Sequence, residues 1–414
     1  MSPIALYLKD YGYNVTLFLL NEYDHFHPQT DTNTKVELKI VELGWSENIF
    51  SDTPIKLIKK TFESFDFFIG TDYAAAFCNK ANIQLDIYFP AGTDLSEWPF
   101  KVTKNFIPLR WEYNITLCAK AQFYGIKYAK HLAIDPTNEN YENLIFKIRG
   151  NNLKHENIPY HYLPFFTGNN PDINQIYTNE LAEINQFDFK IIQHCRQHWL
   201  SGINDIHYKG NELLISGFKK FIETTNSNSC LILLEYGNDV NHSKNLIKEL
   251  NLEKNVIWLP KMLRKYIFQF IKHSDIGIGQ FGHSWYSSCS INEILMAGKP
   301  LISYRNDSLY HNSDNYPLMN ANSASEIFTQ LNLAYNNKLI QNLDIKNWFE
   351  KKQFKRINEV LKTIKKEELN YIFILNIYSK IKLYPYYTIL YSLLKPISII
   401  REFFTIRIKK YANI

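Results

Sequence analysis

Short apolar runs rich in Ile, Phe, Tyr and Leu alternate along the chain with longer stretches whose apolar residues recur at helical spacing. Early in the chain, "SPIALYLKDYGYNV" predicts a helix that ends near Gly12, and a strand follows over residues 14–20. "FDFFIG" predicts a strand before the helix "TDYAAAFCNKA", "LDIYFPAGTD" a strand that enters a turn, and "ITLCAKAQFYGIKYAKHLAI" a helix and then a strand. This alternation indicates a mostly parallel sheet covered by helices, in the α/β class.

The same rhythm restarts in the second half of the chain. The predicted strands there are "FDFKIIQHC", "CLILLEYG", "NVIWLP", "DIGIGQF" and "PLISYR", and the predicted helices between them include "NELLISGFKKFIETT", "SKNLIKELN" and "RKYIFQFIKHS". Connections are short, as in a doubly wound domain, and ligands of such sheets bind at the carboxyl ends of the strands.

The stretch "YHYLPFFTGNNPDINQIYTNELAEINQ" interrupts the rhythm with two prolines and a glycine, and we place the interdomain linker there. Four regions are predicted: an N-terminal domain over 1–165, a C-terminal domain over 186–345, a crossover helix over 346–365 and a basic, aromatic helical tail over 366–414. The length of 414 residues suits two domains.

Composition narrows the class of protein. The formal charge of +5 is small for this length and does not indicate nucleic-acid binding. The five cysteines are scattered and contain no C-x-x-C pair, which argues against a disulfide framework and against a zinc site. With no basic and then apolar leader in view, a reducing cytoplasm is the simplest compartment.

The segment "GQFGHSWYSSCSINEILMAGKPLISYRND", residues 279–307, places a helix directly behind a strand and a glycine turn. We expect the helix to begin within 287–290. Its unpaired N–H groups would then point out of the ligand-binding edge of the sheet and attract phosphate. Gly282 lets a backbone approach closely, and Ser287 and Ser288 can cap the helix or donate to phosphate oxygens.

Glu293 follows within this helix. A carboxylate repels a diphosphate, so its useful partners are the neutral hydroxyls of a ribose or a sugar ring, and phosphate beside hydroxyls describes a nucleotide sugar. The alternative is that Glu293 complements the helix dipole while Gly298 and Pro300 end the helix. The residues alone leave both interpretations open.

Two basic residues, Arg196 and Lys209, precede the first long helix of the second half. A nucleoside diphosphate leaves a sugar carbon only if its growing negative charge is stabilised, and Lys209 stands at a helix N-terminus, directly before Gly210. A lysine on a turn is also often no more than a surface charge.

Four stretches carry a resemblance to a known family: "YKGNELLISGFKKFI", "LILLEYGNDVNHSKNLIKELNLEKNVIWLPKM", "SDIGIGQF" and "NEILMAGKPLISY". They occur in the order and spacing of the nucleotide-binding domain of GT-B glycosyltransferases, and the sequence resembles glycosyltransferase family 4. The resemblance is clearest over residues 190–303. It implies two Rossmann-like, doubly wound domains that face a cleft, with the donor bound by the second and the acceptor by the first.

The resemblance also implies roles for particular residues. Arg196 and Lys209 match the basic pair on the donor diphosphate, Glu293 matches the carboxylate that holds the donor ribose, and Pro260, at the end of "NVIWLP", joins the donor-binding set. Such enzymes need no metal and no cofactor beyond the donor, here a UDP- or GDP-sugar, and retain the anomeric configuration. "WFEKKQFKRINEVLKTI" looks like the late helix that crosses back to the first domain.

The chain departs from the family at two places. Eight positions before the ribose-binding glutamate the family commonly has a second glutamate, and this chain has Trp285. Three alternatives follow: His283 or Ser287 replaces that carboxylate at the transferred sugar, Trp285 stacks on a sugar face, or Trp285 is only an aromatic residue packed in its loop. The chain also opens in a helix where the family opens with a strand and a glycine-rich loop, so the start is either truncated or built differently.

The first half offers weaker candidates. Asp72, between a predicted strand and helix, is expected either to cap the helix or to touch the acceptor or the transferred sugar. Gly92, Thr93 and Asp94 are expected to form a turn and cap. The histidines of "EYDHFHP" resemble a metal pair only superficially, because nothing fixes a third ligand.

The tail over 371–414 holds seven basic residues and one glutamate among aromatic and aliphatic residues, a net charge of 7 − 1 = +6. No uncharged run reaches the ~18 residues of a spanning helix. This pattern favours a segment lying in an anionic membrane interface over an ordinary packing helix.

The leading prediction is a glycosyltransferase that moves a sugar from a nucleotide-sugar donor to a surface-glycan or lipid-linked acceptor. It would act in the cytoplasm, as a peripheral protein on the inner face of the membrane. The alternatives are a nucleotide-sugar epimerase of the same fold and a non-catalytic protein that retains donor binding.

Overall fold

A computed structural model describes the chain at residues 4–5, 8–9, 11–20, 38–90, 92–102, 109–134, 139–150, 157–159, 173–205, 207–284, 288–309, 315–336 and 358–365. The chain divides into two compact units. One, here the C-terminal domain, consists of Met1–Val15, Tyr23–Lys39 and His161–Ile357. The other, here the N-terminal domain, consists of Thr16–Glu22, Ile40–Tyr160 and Asn358–Ile414. Each predicted domain is one continuous stretch of chain, whereas each of these two units is made of three separate stretches.

The N-terminal domain contains a four-stranded sheet in the order β3-β4-β5-β6, with every neighbouring pair parallel, and a two-stranded sheet β1-β2. Its strands are β1 Thr16–Leu19, β2 Lys39–Glu42, β3 Ile69–Gly70, β4 Ile87–Tyr88, β5 His131–Ile134 and β6 Asn157–Pro159. Its helices are α1 Ile55–Phe62, α2 Ala74–Lys80, α3 Thr93–Ser96, α4 Arg110–Tyr128 and α5 Glu139–Arg149, followed after the C-terminal domain by a helix over 358–365.

The C-terminal domain is built on six strands: β7 Phe189–Gln193, β8 Ser229–Leu234, β9 Val256–Leu259, β10 Ile276–Ile278, β11 Leu301–Ser303 and β12 Met319–Asn320. Their order across the sheet is β9-β8-β7-β10-β11-β12, and all neighbours pair in parallel. In domain numbering this is the order 3-2-1-4-5-6 of a Rossmann-like sheet. The helices are α6 Thr178–Ile184, α7 Asn211–Thr225, α8 Val240–Glu249, α9 Arg264–His273, α10 Cys289–Met296 and α11 Ala324–Tyr335.

Each face of this sheet is buried in its own apolar cluster, because successive residues of a strand point to opposite faces. On β7, Ile192 belongs to one cluster with α6, α9 and α10, while Ile191 belongs to the other with α7 and α11. A sheet covered on both faces needs strands that are apolar throughout, which is why "CLILLEYG" reads as a continuous apolar run.

The predicted α/β pattern is confirmed, and several elements agree closely with the sequence. The first strand spans Thr16–Leu19 within the predicted 14–20, and Gly12 has a φ of 91° and donates its N–H to Lys9 O, as expected at a helix end. Part of the predicted linker is helical instead. Helix α6 lies inside it, and Leu181 and Ile184 are buried in the core of the C-terminal domain.

Helices α2 and α4 of the N-terminal domain cross at Gly125, where a Cβ would lie 2.1 Å from the backbone oxygen of Ala75. Replacing Gly125 with alanine is expected to destabilise the domain by about 1–3 kcal/mol through overpacking. Helix propensity alone would stabilise the variant by about 1 kcal/mol, so the two effects differ in sign.

Thermal unfolding of Gly125→Ala measures this contact. Lys127→Ala, a change on the same helix at a half-exposed position, is the control and is expected to stay within about 0.5 kcal/mol. A Gly125→Ala variant more stable than the parent protein would contradict the close helix crossing.

Candidate donor site at the switch point of the C-terminal sheet

The strand order of the C-terminal sheet reverses between β7 and β10, its first and fourth strands. Parallel sheets leave a crevice for ligands outside the carboxyl ends of the strands at such a point. Two segments follow these strands: residues 194–196 after β7 and residues 279–282 after β10. Arg196 and Gly282 therefore lie at the same edge of the sheet.

Lys209 reaches this edge from the turn before α7. Its Nζ donates to Oε1 of Gln280 at 2.6 Å, and Gln280 is itself 3% exposed at the end of β10. Burial lowers the pKa of Lys209, and the charge of Arg196 lowers it further. Cys195 and Cys289 raise it. Arg196 and Cys289, the first residue of α10, are thus among the groups that act on the pKa of Lys209.

Arg196 is half-buried, and its Nη2 lies 3.1 Å from Nδ1 of His207. The loop that carries His207 is held by Asp205, which accepts from Nε2 of His198 at 2.9 Å and from the N–H of His207 at 2.8 Å. These hydrogen bonds hold the pKa of Asp205 well below its usual range, and the one from His198 has the largest effect.

Amide side chains buried behind the basic pair hold its supporting segments together. Asn211 donates to Oε1 of Gln193 at 2.9 Å and accepts the N–H of His198 at 3.0 Å, while Gln193 donates to the carbonyl of Gly279 at 3.1 Å. Asn211 and Gln193 are 1% and 0% exposed. The start of α7, the end of β7 and the end of β10 are thus joined by hydrogen bonds, which fixes the base of the site.

The surroundings of Gly282 differ from the predicted close approach of a backbone. Gly282 has a φ of 85°, and a Cβ there would lie 2.5 Å from the ring of Tyr208, so the close approach that it permits is to Tyr208. Its N–H donates to Oδ1 of Asn322 at 2.7 Å. Nε2 of His283 lies 2.8 Å from the carbonyl of Asp205. Both residues thus anchor the turn after β10 in this structure.

Helix α10 begins where the sequence predicted, within 287–290. Ser288 is its N-cap and accepts the N–H of Ile291 at 3.3 Å, so the expected capping role of Ser288 is confirmed. Ser287 and Trp285 lie outside the described residues. Pro260 follows β9 at the same edge of the sheet and is exposed.

Glu293, in the second turn of α10, is 4% exposed and lies in a buried charged cluster. Its Oε1 accepts from Nε of Arg264 at 2.9 Å and lies 2.7 Å from Nη2 of the same guanidinium. Its Oε2 is 2.7 Å from Nε2 of His194. Burial alone would raise the pKa of Glu293, but the charge of Arg264 and the hydrogen bond from His194 hold it below its ordinary value.

Sequence reasoning missed Arg264 and His194. His194 directly follows β7, and the rule that residues after strands gather at one edge would have selected it. Nδ1 of His194 is buried and has no hydrogen-bond partner in the part of the chain that the structure describes. No sequence signal distinguished Arg264, the first residue of α9, from other basic residues at helix ends.

In the N-terminal domain, Asp72 does not cap helix α2. The N-cap is Tyr73, and Asp72 has a φ of 50° because the chain turns sharply between strand and helix. Its N–H donates to Oδ2 of Asp94 at 3.1 Å. Asp94 also accepts from the Tyr88 hydroxyl at 2.5 Å and from the N–H of Gly92 at 2.7 Å, so it holds two turns at once. The expected turn and cap at residues 92–94 therefore has a structural role.

Among the described residues, no group of three or more His, Cys, Asp and Glu side chains is arranged to hold a metal ion. The two histidines of "EYDHFHP" and the tail over 371–414 lie outside those residues. No helix in the described ranges combines the length and the apolar character that crossing a membrane requires.

The two Rossmann-like domains define a fold of the GT-B type, which confirms the predicted fold class. The chain is similar to HepE of Anabaena in complex with UDP and glucose, with a TM-score of 0.53 and 14% identity over 80% of this chain and 86% of HepE. It is also similar to sucrose-phosphate synthase of Thermosynechococcus elongatus, with a TM-score of 0.51 and 11% identity over 89% of this chain and 90% of that one. No protein-family model matches the sequence, and neither does any curated protein.

Proposed function

We propose that this protein is a glycosyltransferase that binds a nucleotide sugar at the switch point of its C-terminal sheet. The supporting observation is that Lys209, Arg196 and the start of α10 lie at that edge of the sheet, and that α10 carries the buried carboxylate of Glu293. Structures of the same fold have been determined with UDP and with UDP-glucose, namely those of HepE. The donor proposed here is accordingly a UDP- or GDP-sugar.

Each part of the site has a separate role in this proposal. Lys209 and Arg196 stabilise the diphosphate as it leaves the sugar carbon, and the N-terminus of α10 adds its unpaired N–H groups. These groups supply positive charge without a metal ion. Glu293 still has acceptor capacity on Oε2, because a carboxylate offers about four lone-pair sites and three contacts are made, two by Arg264 on Oε1 and one by His194 on Oε2. It accepts the ribose hydroxyls.

The acceptor and the membership of glycosyltransferase family 4 rest on the sequence resemblance. We propose that the N-terminal domain binds a surface-glycan or lipid-linked acceptor, with Asp72 near it. We also propose that the reaction retains the configuration of the anomeric carbon. The basic, aromatic tail over 371–414 would bind the anionic inner face of the membrane. His283, Ser287 and Pro260 complete the proposed donor contacts.

The proposal predicts that one nucleotide sugar from a panel of UDP- and GDP-sugars stabilises the folded protein. At a ligand concentration of 100 times the dissociation constant the expected gain is about 2.7 kcal/mol, measured as a rise in melting temperature. Lys209→Ala is expected to lose most of this gain, because the diphosphate loses one of the two cations proposed to bind it. Lys244→Ala, an exposed residue of α8, is the control and keeps it.

Release of nucleoside diphosphate from the bound donor, alone and with acceptor glycans, then separates the functions. Transfer or slow hydrolysis supports the transferase. Conversion of the donor sugar without release would identify the epimerase instead. Binding without any turnover would identify the non-catalytic protein, and absence of binding across the panel would refute the donor site.

A further inference from the structure

The cluster around Glu293 contains a basic residue that the proposed diphosphate contacts do not use. Arg264, at the start of α9, places both Nε and Nη2 within 2.9 Å of one oxygen of Glu293, and its side chain is 12% exposed. Its guanidinium is thereby directed at the carboxylate. We infer that Arg264 is a positioning residue of the donor site, which fixes the carboxylate of Glu293 as the acceptor for the ribose hydroxyls. This inference rests on the proposed function.

The physical reason begins with burial. Glu293 is 4% exposed, and a carboxylate taken out of water is costly unless it is paired, so that an isolated one becomes protonated. A protonated carboxyl group loses acceptor capacity and gains a donor, which suits hydroxyl recognition poorly. The site therefore needs a fixed positive charge near Glu293, and Arg264 supplies it.

Orientation is the second contribution. Arg264 engages Oε1 while His194 engages Oε2, so the carboxylate is held from two different elements, α9 and the end of β7. A planar guanidinium directs its N–H groups in a fixed fork, which a lysine ammonium does not reproduce. The carboxyl plane is then set before a ligand arrives, and binding costs less side-chain entropy.

The same arrangement predicts how donor affinity depends on pH. Arg264 and His194 are the groups whose charges act on Glu293. With Arg264 in place, the pKa of Glu293 lies below its ordinary value of 4.5, so the residue stays ionised from pH 5.5 to 8. Without that charge, burial raises its pKa against the opposing effect of His194 alone, and protonation should weaken binding as the pH falls.

The test is the affinity for UDP-glucose, or for GDP-mannose if only guanine nucleotides bind, measured by calorimetry from pH 5.5 to 8. A nucleotide sugar is the right probe because its phosphates carry no terminal monoester, the group that titrates near pH 6. The parent protein is expected to show a flat profile. Arg264→Gln is expected to lose affinity towards acid pH, by roughly tenfold for each unit below the new pKa of Glu293.

Two further variants separate the effect of the charge of Arg264 from the effects of its geometry and of His194. Arg264→Lys retains the charge but not the fork, so we expect a flat profile with affinity roughly three- to tenfold lower. His194→Gln retains an N–H donor towards Glu293 and leaves Arg264 in place, so its profile should also stay flat. A residue that only stabilises the fold would lower the melting temperature without changing the pH profile.

The outcomes separate this inference from the proposed function. A flat profile for Arg264→Gln at unchanged affinity overturns the inference while leaving the donor site intact. If Arg264→Gln does not fold, Arg264→Lys decides, since affinity equal to that of the parent protein overturns the positioning role. If the parent protein binds no nucleotide sugar at all, the proposed function fails and the inference fails with it.

Discussion

Replacing Lys209 with alanine is expected to lower kcat/KM for glycosyl transfer by about 10²- to 10³-fold, the typical loss when one group that stabilises transition-state charge is removed. In the described part of the chain, the hydrogen-bond partner of its ammonium is the amide oxygen of Gln280. Exchanging that neutral partner for a departing diphosphate strengthens the contact as charge develops. Arg196→Ala is expected to have an effect of the same size for the same reason.

Initial rates of nucleoside diphosphate release from the donor that binds best give this measurement. Lys219→Ala is the matched control, because Lys219 lies on α7, the helix that Lys209 precedes, and pairs with the exposed Glu223. It is expected to turn over at the rate of the parent protein. Wild-type rates for both Lys209→Ala and Arg196→Ala would show that the diphosphate binds elsewhere.

The second large effect concerns stability. Glu293→Ala is expected to lower the free energy of unfolding by about 3–5 kcal/mol, because it removes the carboxylate that pairs with the buried Arg264 guanidinium. Glu235→Ala is the control, since its partner Lys244 and Glu235 itself are each 42% exposed, and such pairs contribute about 0–1 kcal/mol. Denaturant titration of the three proteins gives the comparison.

A double change tests whether the loss of stability comes from removing one partner of this ion pair. Arg264→Met with Glu293→Met replaces both partners by apolar side chains, and we expect it to be more stable than Glu293→Ala alone. If the double variant is the less stable protein, packing and not charge explains the loss.

The stability that Glu293 contributes should also depend on pH. Its pKa is lowered in the folded protein, so the contribution is fully present above its ordinary value of 4.5 and is lost as the pH falls through the folded pKa. Below about pH 4.5 the parent protein should therefore lose stability relative to the double methionine variant, as measured by their free energies of unfolding.

The sequence predicted the C-terminal domain well because its signals are local. Strands such as β8 are apolar throughout, and α10 begins at a serine that accepts a backbone N–H of its own first turn. Both signals arise from residues close together along the chain. The order of elements and the start of α10 followed from them without knowledge of any distant contact.

Contacts between distant positions were harder to predict. The helix α6 lies in a stretch with proline and glycine on its N-terminal side, and only burial of Leu181 and Ile184 against the sheet explains why it is ordered. Asp72 had the position of a helix cap, but Asp94, 22 residues away, accepts its N–H and stabilises a different turn. Propensity is a weak guide where such tertiary hydrogen bonds decide the backbone.

The candidate site shows the same division. Lys209 and Glu293 were selected from spacing and helix position, yet the partners that determine their chemistry were not. Gln280 is 71 residues from Lys209, and His194 is 99 residues from Glu293. Gly282 was selected as a site for close backbone approach, and the structure shows that the group approaching it is the ring of Tyr208.

By itself, the sequence determined the alternation of strands and helices, the two-domain α/β class and the positions of the basic and acidic candidates, since each depends on neighbouring residues and their periodicity. Only the tertiary structure decided that the strand order reverses between β7 and β10, and that Arg264 and His194 meet at Glu293. The reason is physical: charge state and orientation depend on burial and on partners that chain folding brings together, and neither is encoded in local spacing.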